Sequence, residues 1–303
     1  MLIRTAELLD EGLCTHEIRA LVRKGELIRV RNGVYWRAGF GEPDELDRCA
    51  EHLRRIDATL PRVRPGGVLS HLSAAIVHEL PVPERRLGPV HITRPGHGGK
   101  VRAGMHLHRA LVPAEHQRQT ESGVVTSLEW TAADLARSLP AVHAVAALDV
   151  ALAKGADRDE ILAILARPHL TGSIQARRLV RFANPASESV GESHSRWLIH
   201  ELGLPEPELQ KEFFTPDGEF VARCDFYWER YNLVGEFDGL VKYGRKLKPG
   251  QSVQDVVLFE KHREEAIRRQ GPWMSRWIWK DLDDRQAFGR LLTRAFELAD
   301  RAA

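Results

Sequence analysis

The sequence predicts a multidomain α/β protein, and three observations carry that expectation. Its 303 residues suffice for two or three domains, each with its own core. Helical and strand-like periodicities follow one another along the chain. Hairpin signals occur near both ends, at Arg31-Asn32-Gly33 and between Val221 and Asp238. The composition, 43% hydrophobic and 28% charged, is that of an ordinary globular protein and excludes a disordered or fibrous chain. No apolar run approaches the ~18 residues of a membrane span. Met1-Leu2-Ile3-Arg4 leads into charged residues with no apolar signal core, so a cytoplasmic location without membrane contact is expected. Cys14, Cys49 and Cys224 are isolated and odd in number, which excludes a disulfide framework and a structural zinc knuckle and leaves buried, reduced thiols as the expectation.

The first domain is expected over residues 1–40. Thr5 can cap a helix ending near Asp10, Gly12 breaks it, and Thr15 can cap a second helix whose Ile18, Leu21 and Val22 share a face before Gly25. Leu27 to Val30 and Val34 to Trp36 then flank Arg31-Asn32-Gly33, and Asn-Gly between β-prone runs is a strong hairpin signal. Helix, turn, helix and hairpin together predict a winged helix-turn-helix, with room for only two helices ahead of the wing. The formal net charge of +2 says little, but Arg19 to Arg37 holds six basic residues against the single acid Glu26. Arg19, Arg23 and Lys24 are the candidates for the exposed side of a recognition helix, and Arg29, Arg31 and Asn32 for phosphate contacts on double-stranded DNA. A solvated basic face is the alternative.

A second, mixed α/β domain is expected over 41–170. It reads as a helix from Asp44 to Leu60, a turn at Pro65-Gly66-Gly67, a helix around Ser70 to His78, a β-like region from Val90 to Leu107, and an Ala-rich helical pair to Leu165. Arg85 to Arg118 carries seven basic residues against Glu115, with Gly96, Gly98 and Gly99, which suits either a backbone-contacting loop or an ordinary exposed one. Histidines gather at positions 71, 78, 91, 97, 106 and 108. Alternation places His106 and His108 on one strand face, but no neighbouring Cys or carboxylate completes a ligand set, so no metal site is expected here.

The third domain, 171–303, carries the acidic candidates. Ser187 or Ser189 can start a helix through Glu192 and Arg196 to Leu202, stopped by Gly203. Val221 to Trp228 and Leu233 to Asp238 form a predicted hairpin. A turn centred between Arg230 and Tyr231 sets Asp225 opposite Glu236, with Cβ atoms about 5 Å apart. Opposed carboxylates repel, so the pair invites a proton or a divalent cation, and oxygen ligands of this kind suit Mg²⁺. The same register sets Arg223 opposite Asp238, making a salt bridge the plain alternative for Asp238. Glu188 shares the helical face of Glu192 and competes with it. The helix Val256 to Gln270 is read as a solvated face, and Trp273, Trp277 and Trp279 as a final strand with Trp277 and Trp279 in the core.

The set Glu192, Asp225 and Glu236 resembles the PD-(D/E)XK nuclease superfamily. The fuller strings Asp225-Phe-Tyr-Trp and Val234-Gly-Glu-Phe-Asp238-Gly resemble its very-short-patch-repair-like branch. Gly33-Val34-Tyr35, Ser70-His-Leu-Ser-Ala-Ala and Thr126 to Arg137 resemble AbiEi-type antitoxins of type IV toxin-antitoxin systems. The first resemblance implies a restriction-endonuclease-like C-terminal domain in which Asp225 and Glu236 hold Mg²⁺ or Mn²⁺, Glu192 reaches in from its helix, and metal-activated water attacks a phosphodiester. The superfamily expects Lys two residues after the second acid; Asp238 stands there, and Lys242 or Lys261 would supply the ammonium. Asp238 would join the metal site by alternation. The second resemblance implies an autorepressing antitoxin with a nucleotidyltransferase-like toxin as partner. A Mg²⁺-dependent endonuclease guided by the winged helix is thus the first expectation. An AbiEi-like transcriptional regulator with an inactive nuclease fold is the alternative.

Overall fold

The computed structural model describes residues 2–37, 47–96, 99–102, 104–168, 170–239, 265–269 and 271–301. The chain divides into two compact units. The first comprises Met1–Ala147 with Lys154–Arg181, and the second Leu148–Ala153 with Phe182–Ala303.

The first unit opens with β1 (Leu2–Arg4), α1 (Thr5–Asp10), α2 (Thr15–Arg23), β2 (Leu27–Arg31) and β3 (Val34–Arg37), the strands lying in the order β1-β3-β2. Both helices start one residue earlier than a threonine cap would allow. Arg4 and Cys14 are the cap residues, and the carboxylates of Glu7 and Glu17 accept their backbone N–H groups at 2.6 and 2.7 Å. Gly12 and Gly25, at φ +93° and +78°, end the helices in a left-handed conformation that costs glycine least. Ile3, Leu8, Ile18 and Leu27 form the core, so β1, unanticipated in the sequence, is needed to close it.

The rest of this unit is built on a six-stranded sheet in the order β6-β7-β5-β4-β9-β8. Its strands are β4 (Val68–Leu69), β5 (Val90–Arg94), β6 (Lys100–Arg102), β7 (Met105–Arg109), β8 (Gln117–Thr120) and β9 (Gly123–Thr126). The β4–β9 and β5–β7 pairs are parallel. Helices α3 (Arg48–Thr59) and α4 (His71–Val77) contribute Ile56 and Ala74 to a core with Leu69, Val90, Ile92 and Val125. The Ala-rich region holds three helices rather than a pair: α5 (Leu128–Ser138), α6 (Ala141–Ala153), whose Leu148–Ala153 end is counted with the second unit, and α7 (Arg158–Leu165). They are followed by α8 (Ser173–Phe182). Ser127 and Asp157 cap α5 and α7 through their side-chain oxygens.

The second unit is a four-stranded sheet in the order β10-β11-β12-β13, from β10 (Glu208–Phe214), β11 (Phe220–Trp228), β12 (Leu233–Phe237) and β13 (Trp273–Trp277). Among the described strands β12 and β13 pair in parallel, and the β10–β11 and β11–β12 pairs are antiparallel. Helices α9 (Val190–Glu201), α10 (Trp279–Asp283) and α11 (Arg285–Asp300) accompany it. Phe226, Trp228, Leu233 and Trp277 pack with Ile199, Phe288, Leu292 and Phe296. Two glycines permit close approach. A Cβ on Gly191 of α9 would stand 1.9 Å from Phe237 Cε1, and one on Gly235 would stand 2.6 Å from Trp277 Cη2. Trp277 is buried in β13, whereas Trp279 opens α10 and is 37% exposed, so the tryptophan alternation ends at Ile278, the N-cap of α10. None of the three cysteines is in a disulfide; Cys14 is exposed as the cap of α2, Cys49 is partly buried and Cys224 is fully buried.

Candidate functional site

Three constellations of polar residues were available to become the site: the basic helix and hairpin, the carboxylates of the second unit, and a buried polar centre in the first unit. In the first, Arg19, Arg23 and Lys24 stand exposed at α2, and Arg29 and Asn32 are exposed on the hairpin, joined by a 2.6 Å hydrogen bond from Arg29 Nη2 to Asn32 Oδ1. Gly33 at φ +75° makes the Asn-Gly turn. Arg31 is different. It is half-buried, and its Nη1 donates to the Ala58 carbonyl at the end of α3 at 2.9 Å, fixing the hairpin to that helix. Arg37 is ion-paired with Glu11.

In the second unit, β11 and β12 pair Phe226 with Gly235, Tyr227 with Val234 and Trp228 with Leu233. That register, continued by one pair, sets Asp225 against Glu236. Asp225 Oδ2 accepts the backbone N–H of Phe237 at 2.9 Å. Glu236, 4% exposed, is ion-paired through Oε2 with Arg276 Nη2 at 2.8 Å, its register partner on the parallel strand β13. Glu192 points its Oε2 at the backbone N–H of Glu188 and at Gln210 Nε2, both 2.9 Å away, and burial raises its carboxyl above the ordinary value. Glu188 turns away to bridge Arg223 at 2.8 Å. Asp238 follows β12 and donates its backbone N–H to the Trp277 carbonyl at 2.8 Å. Lys242 and Lys261 lie outside the described residues.

Of the oxygens a Mg²⁺ ion at Asp225 and Glu236 would use, Asp225 Oδ2 and Glu236 Oε2 are already engaged, by the Phe237 N–H and by Arg276. Arg276 supplies the positive charge that Glu236 would otherwise take from a metal, and a divalent ion would have to displace it or share the carboxylate with it. A second buried ion pair stiffens the same unit. Arg196 Nη2 meets Asp149 Oδ1 and Oδ2 at 2.9 and 2.8 Å, and Asp149 is wholly buried.

The third constellation surrounds the start of α4. Ser70, Ser73, Thr93, Thr126, Thr131 and Asp134 are all buried, an unusual load of polar groups for one core. His71, at φ +51°, presents its Nδ1 3.2 Å from Asp134 Oδ2 and 3.0 Å from Ser70 Oγ. Its ring stacks on His108 with centroids 3.6 Å apart. His91 Nδ1 and His108 Nε2 lie 2.9 Å apart, and His106 packs beside both. Behind them His52 Nε2 meets Ser73 Oγ at 2.9 Å, and Ser73 Oγ also accepts the backbone N–H of His91. Burial, reinforced by neighbouring cationic or imidazole groups, pulls His71 and His108 down to about 3, His91 to about 2 and His52 to about 4. Burial raises the Asp134 carboxyl, against the opposing pull of Arg137 at 2.6 Å. With His71 neutral, its contact with Asp134 is dipolar rather than an ion pair. The sequence signal was the alternating His106 and His108; the carboxylate missing from that reading is Asp134, delivered from α5.

Comparison with known proteins places the buried polar centre, His52 apart, inside a recognised region. Residues 67–182 match the family described as AbiEi antitoxin C-terminal domain. Two Mycobacterium tuberculosis proteins, the uncharacterized proteins MT2308 of strain CDC 1551 / Oshkosh and Rv2248 of strain H37Rv, are each 31% identical to this chain over 283 residues, covering 93% of it and 95% of their own length. Among solved structures, the crystal structure of the RV2827C protein from M. tuberculosis is similar at a TM-score of 0.38 and 16% identity, over 72% of this chain and 84% of that one. By its likeness to MT2308 and Rv2248 over nearly its whole length, the chain belongs to the family of these two mycobacterial proteins, with an AbiEi antitoxin-like domain at residues 67–182.

Proposed function

We propose that this protein is an AbiEi-type antitoxin and transcriptional autorepressor, in which the N-terminal helices and hairpin act as a winged helix on double-stranded DNA. The observation that carries the reading is the AbiEi match at 67–182, on a chain whose N-terminal helix and hairpin present a basic face. α2 enters the major groove with Arg19, Arg23 and Lys24 near phosphates, while the hairpin brings Arg29 and Asn32 to the adjacent backbone. Arg31 holds the hairpin in place through Ala58 rather than binding a phosphate itself. The partner of such an antitoxin is a nucleotidyltransferase-like toxin. The second unit serves as a nuclease-like platform whose Glu236 is neutralised by Arg276 instead of by Mg²⁺.

The test uses the full chain and a labelled duplex carrying its own promoter, with fluorescence anisotropy in Mg²⁺, Mn²⁺ or EDTA, alongside supercoiled DNA as a cleavage substrate. Tight promoter binding that is indifferent to EDTA and equal in an Asp225→Ala, Glu236→Ala double variant supports the repressor. Cleavage by the wild-type protein that disappears in EDTA and in the double variant would replace it with the endonuclease reading.

A further inference from the structure

We infer that His71, His91 and His108 form a binding site for a first-row transition-metal dication of the Zn²⁺ class, with Asp134 behind His71. Four features of the fold carry this. First, the three imidazoles come from different elements, α4, β5 and β7, and each can turn one ring nitrogen into a common space in which the three nitrogens lie within 4.8 Å of one another. Second, His91 and His108 turn ring nitrogens toward each other. His91 Nδ1 and His108 Nε2 share one proton in a 2.9 Å hydrogen bond, which a cation would replace with a bond to each nitrogen.

Third, Asp134 is 3% exposed, accepts from the backbone of His71, and places its Oδ2 3.2 Å from His71 Nδ1. A small ring rotation turns that contact into an Nδ1–H donation to the carboxylate and leaves His71 Nε2 as the ligand atom. This is the carboxylate–histidine–metal relay that fixes a ligand's tautomer. Fourth, His71 is held at φ +51°, a left-handed conformation that a non-glycine residue adopts at a cost. Its ring lies stacked on that of His108.

Binding requires the rings to reorient, because His71 lies face to face on His108, 12° from parallel with centroids 3.6 Å apart, and the in-plane lone pairs of stacked rings do not converge on one ion. Zinc–nitrogen bonds of about 2.0–2.1 Å in a tetrahedron put ligand nitrogens about 3.3–3.4 Å apart. The 2.9 Å His91–His108 pair must open slightly, and the widest separation, up to 4.8 Å, must close by side-chain rotation. Three protein ligands leave a fourth position for water or a donor from a partner. His91 and His108 are only partly buried, so the site can be reached from solvent.

The test is metal stoichiometry on the untagged full chain, stripped with EDTA and dialysed against Zn²⁺ or Co²⁺. One tightly held equivalent of Zn²⁺, and visible d–d absorption on adding Co²⁺, are expected. Both should vanish in His91→Ala and His108→Gln and persist in His200→Ala, which removes an exposed imidazole of the other unit. Asp134→Asn should weaken zinc binding about 10- to 100-fold without abolishing it, because it touches a ligand rather than the metal. Circular dichroism of each metal-free variant separates loss of the site from loss of the fold. Absence of a stoichiometric metal in the wild-type chain would overturn the inference, and so would full occupancy in a folded His91→Ala variant.

Discussion

Neutralising the basic face one residue at a time should expose a division of labour that charge counting misses. Six basic residues lie between Arg19 and Arg37, and all six would contribute if sequence position alone mattered. In the fold, Arg37 is paired with Glu11, and Arg31 is spent on the Ala58 carbonyl, so four cations remain: Arg19, Arg23, Lys24 and Arg29. With a slope of about −0.9 per neutralised phosphate, log Kd against log salt should change by about 3.6 per decade for each bound protomer. Between 50 and 200 mM salt that corresponds to roughly 150-fold weaker binding. Arg23→Ala and Lys24→Ala should each reduce the slope by about 0.9, whichever duplex is used. Arg37→Ala should leave it unchanged. The assay is anisotropy titration at four or more salt concentrations. A slope near zero would remove the DNA-binding reading. An Arg37→Ala variant as damaging as Arg23→Ala would refute the assignment of the free cations.

Three further outcomes follow from the second unit. Asp149→Ala leaves the buried Arg196 guanidinium without its carboxylate and should cost about 3–5 kcal/mol in urea unfolding; a loss under about 1 kcal/mol would mean the pair is solvated. Tryptophan fluorescence reports on it, since Trp197, Trp228, Trp273, Trp277 and Trp279 all belong to that unit. Glu192 has a carboxyl raised by burial above 4.5, so its stabilising contribution is present below that value and is lost as pH climbs through the raised one. Glu192→Gln should therefore melt higher than the wild type at pH 8, with the gap closing toward pH 4; equal melting at pH 8 would show that the ionised form is not penalised. Gly191→Ala drives a Cβ into the Phe237 ring and should destabilise the unit by about 1–3 kcal/mol or more, with recovery when Phe237 is trimmed to Ala. Failure of that rescue would place the strain elsewhere.

The parts of the fold legible in the sequence were those whose determinants are local. Asn32-Gly33 fixed one hairpin by turn chemistry. The β11–β12 register could be read because the short Glu229–Tyr231 turn and the alternation on both sides leave few alternatives. Strand β1 was missed because three residues carry no periodicity; pairing of Ile3 with Tyr35 makes it a strand. The two-residue β4 is equally silent until Leu69 is sandwiched between Ile92 and Val125. Arg276 is a subtler case. As a residue in a strand of tryptophans it reads as solvent-facing, and only the parallel pairing of β12 with β13 places it beside Glu236, where it changes the meaning of the acidic set.

The histidine cluster sharpens the same point, because half of its pattern was visible. His106 and His108 share a face by alternation, but nothing local says what stands opposite. The parallel β5–β7 register supplies that: His91 is aligned with His106 and Thr93 with His108. The helix start then brings His71 onto the His108 ring, and α5 brings Asp134 to His71. Each of these steps joins residues far apart in sequence, so spacing rules built for ligands within one helix or hairpin cannot detect them. A core that buries serines, threonines, an aspartate and several imidazoles forgoes apolar contacts that would stabilise it more simply. That expense is intelligible if the imidazoles have a cation to hold, and the strained backbone of His71 points the same way.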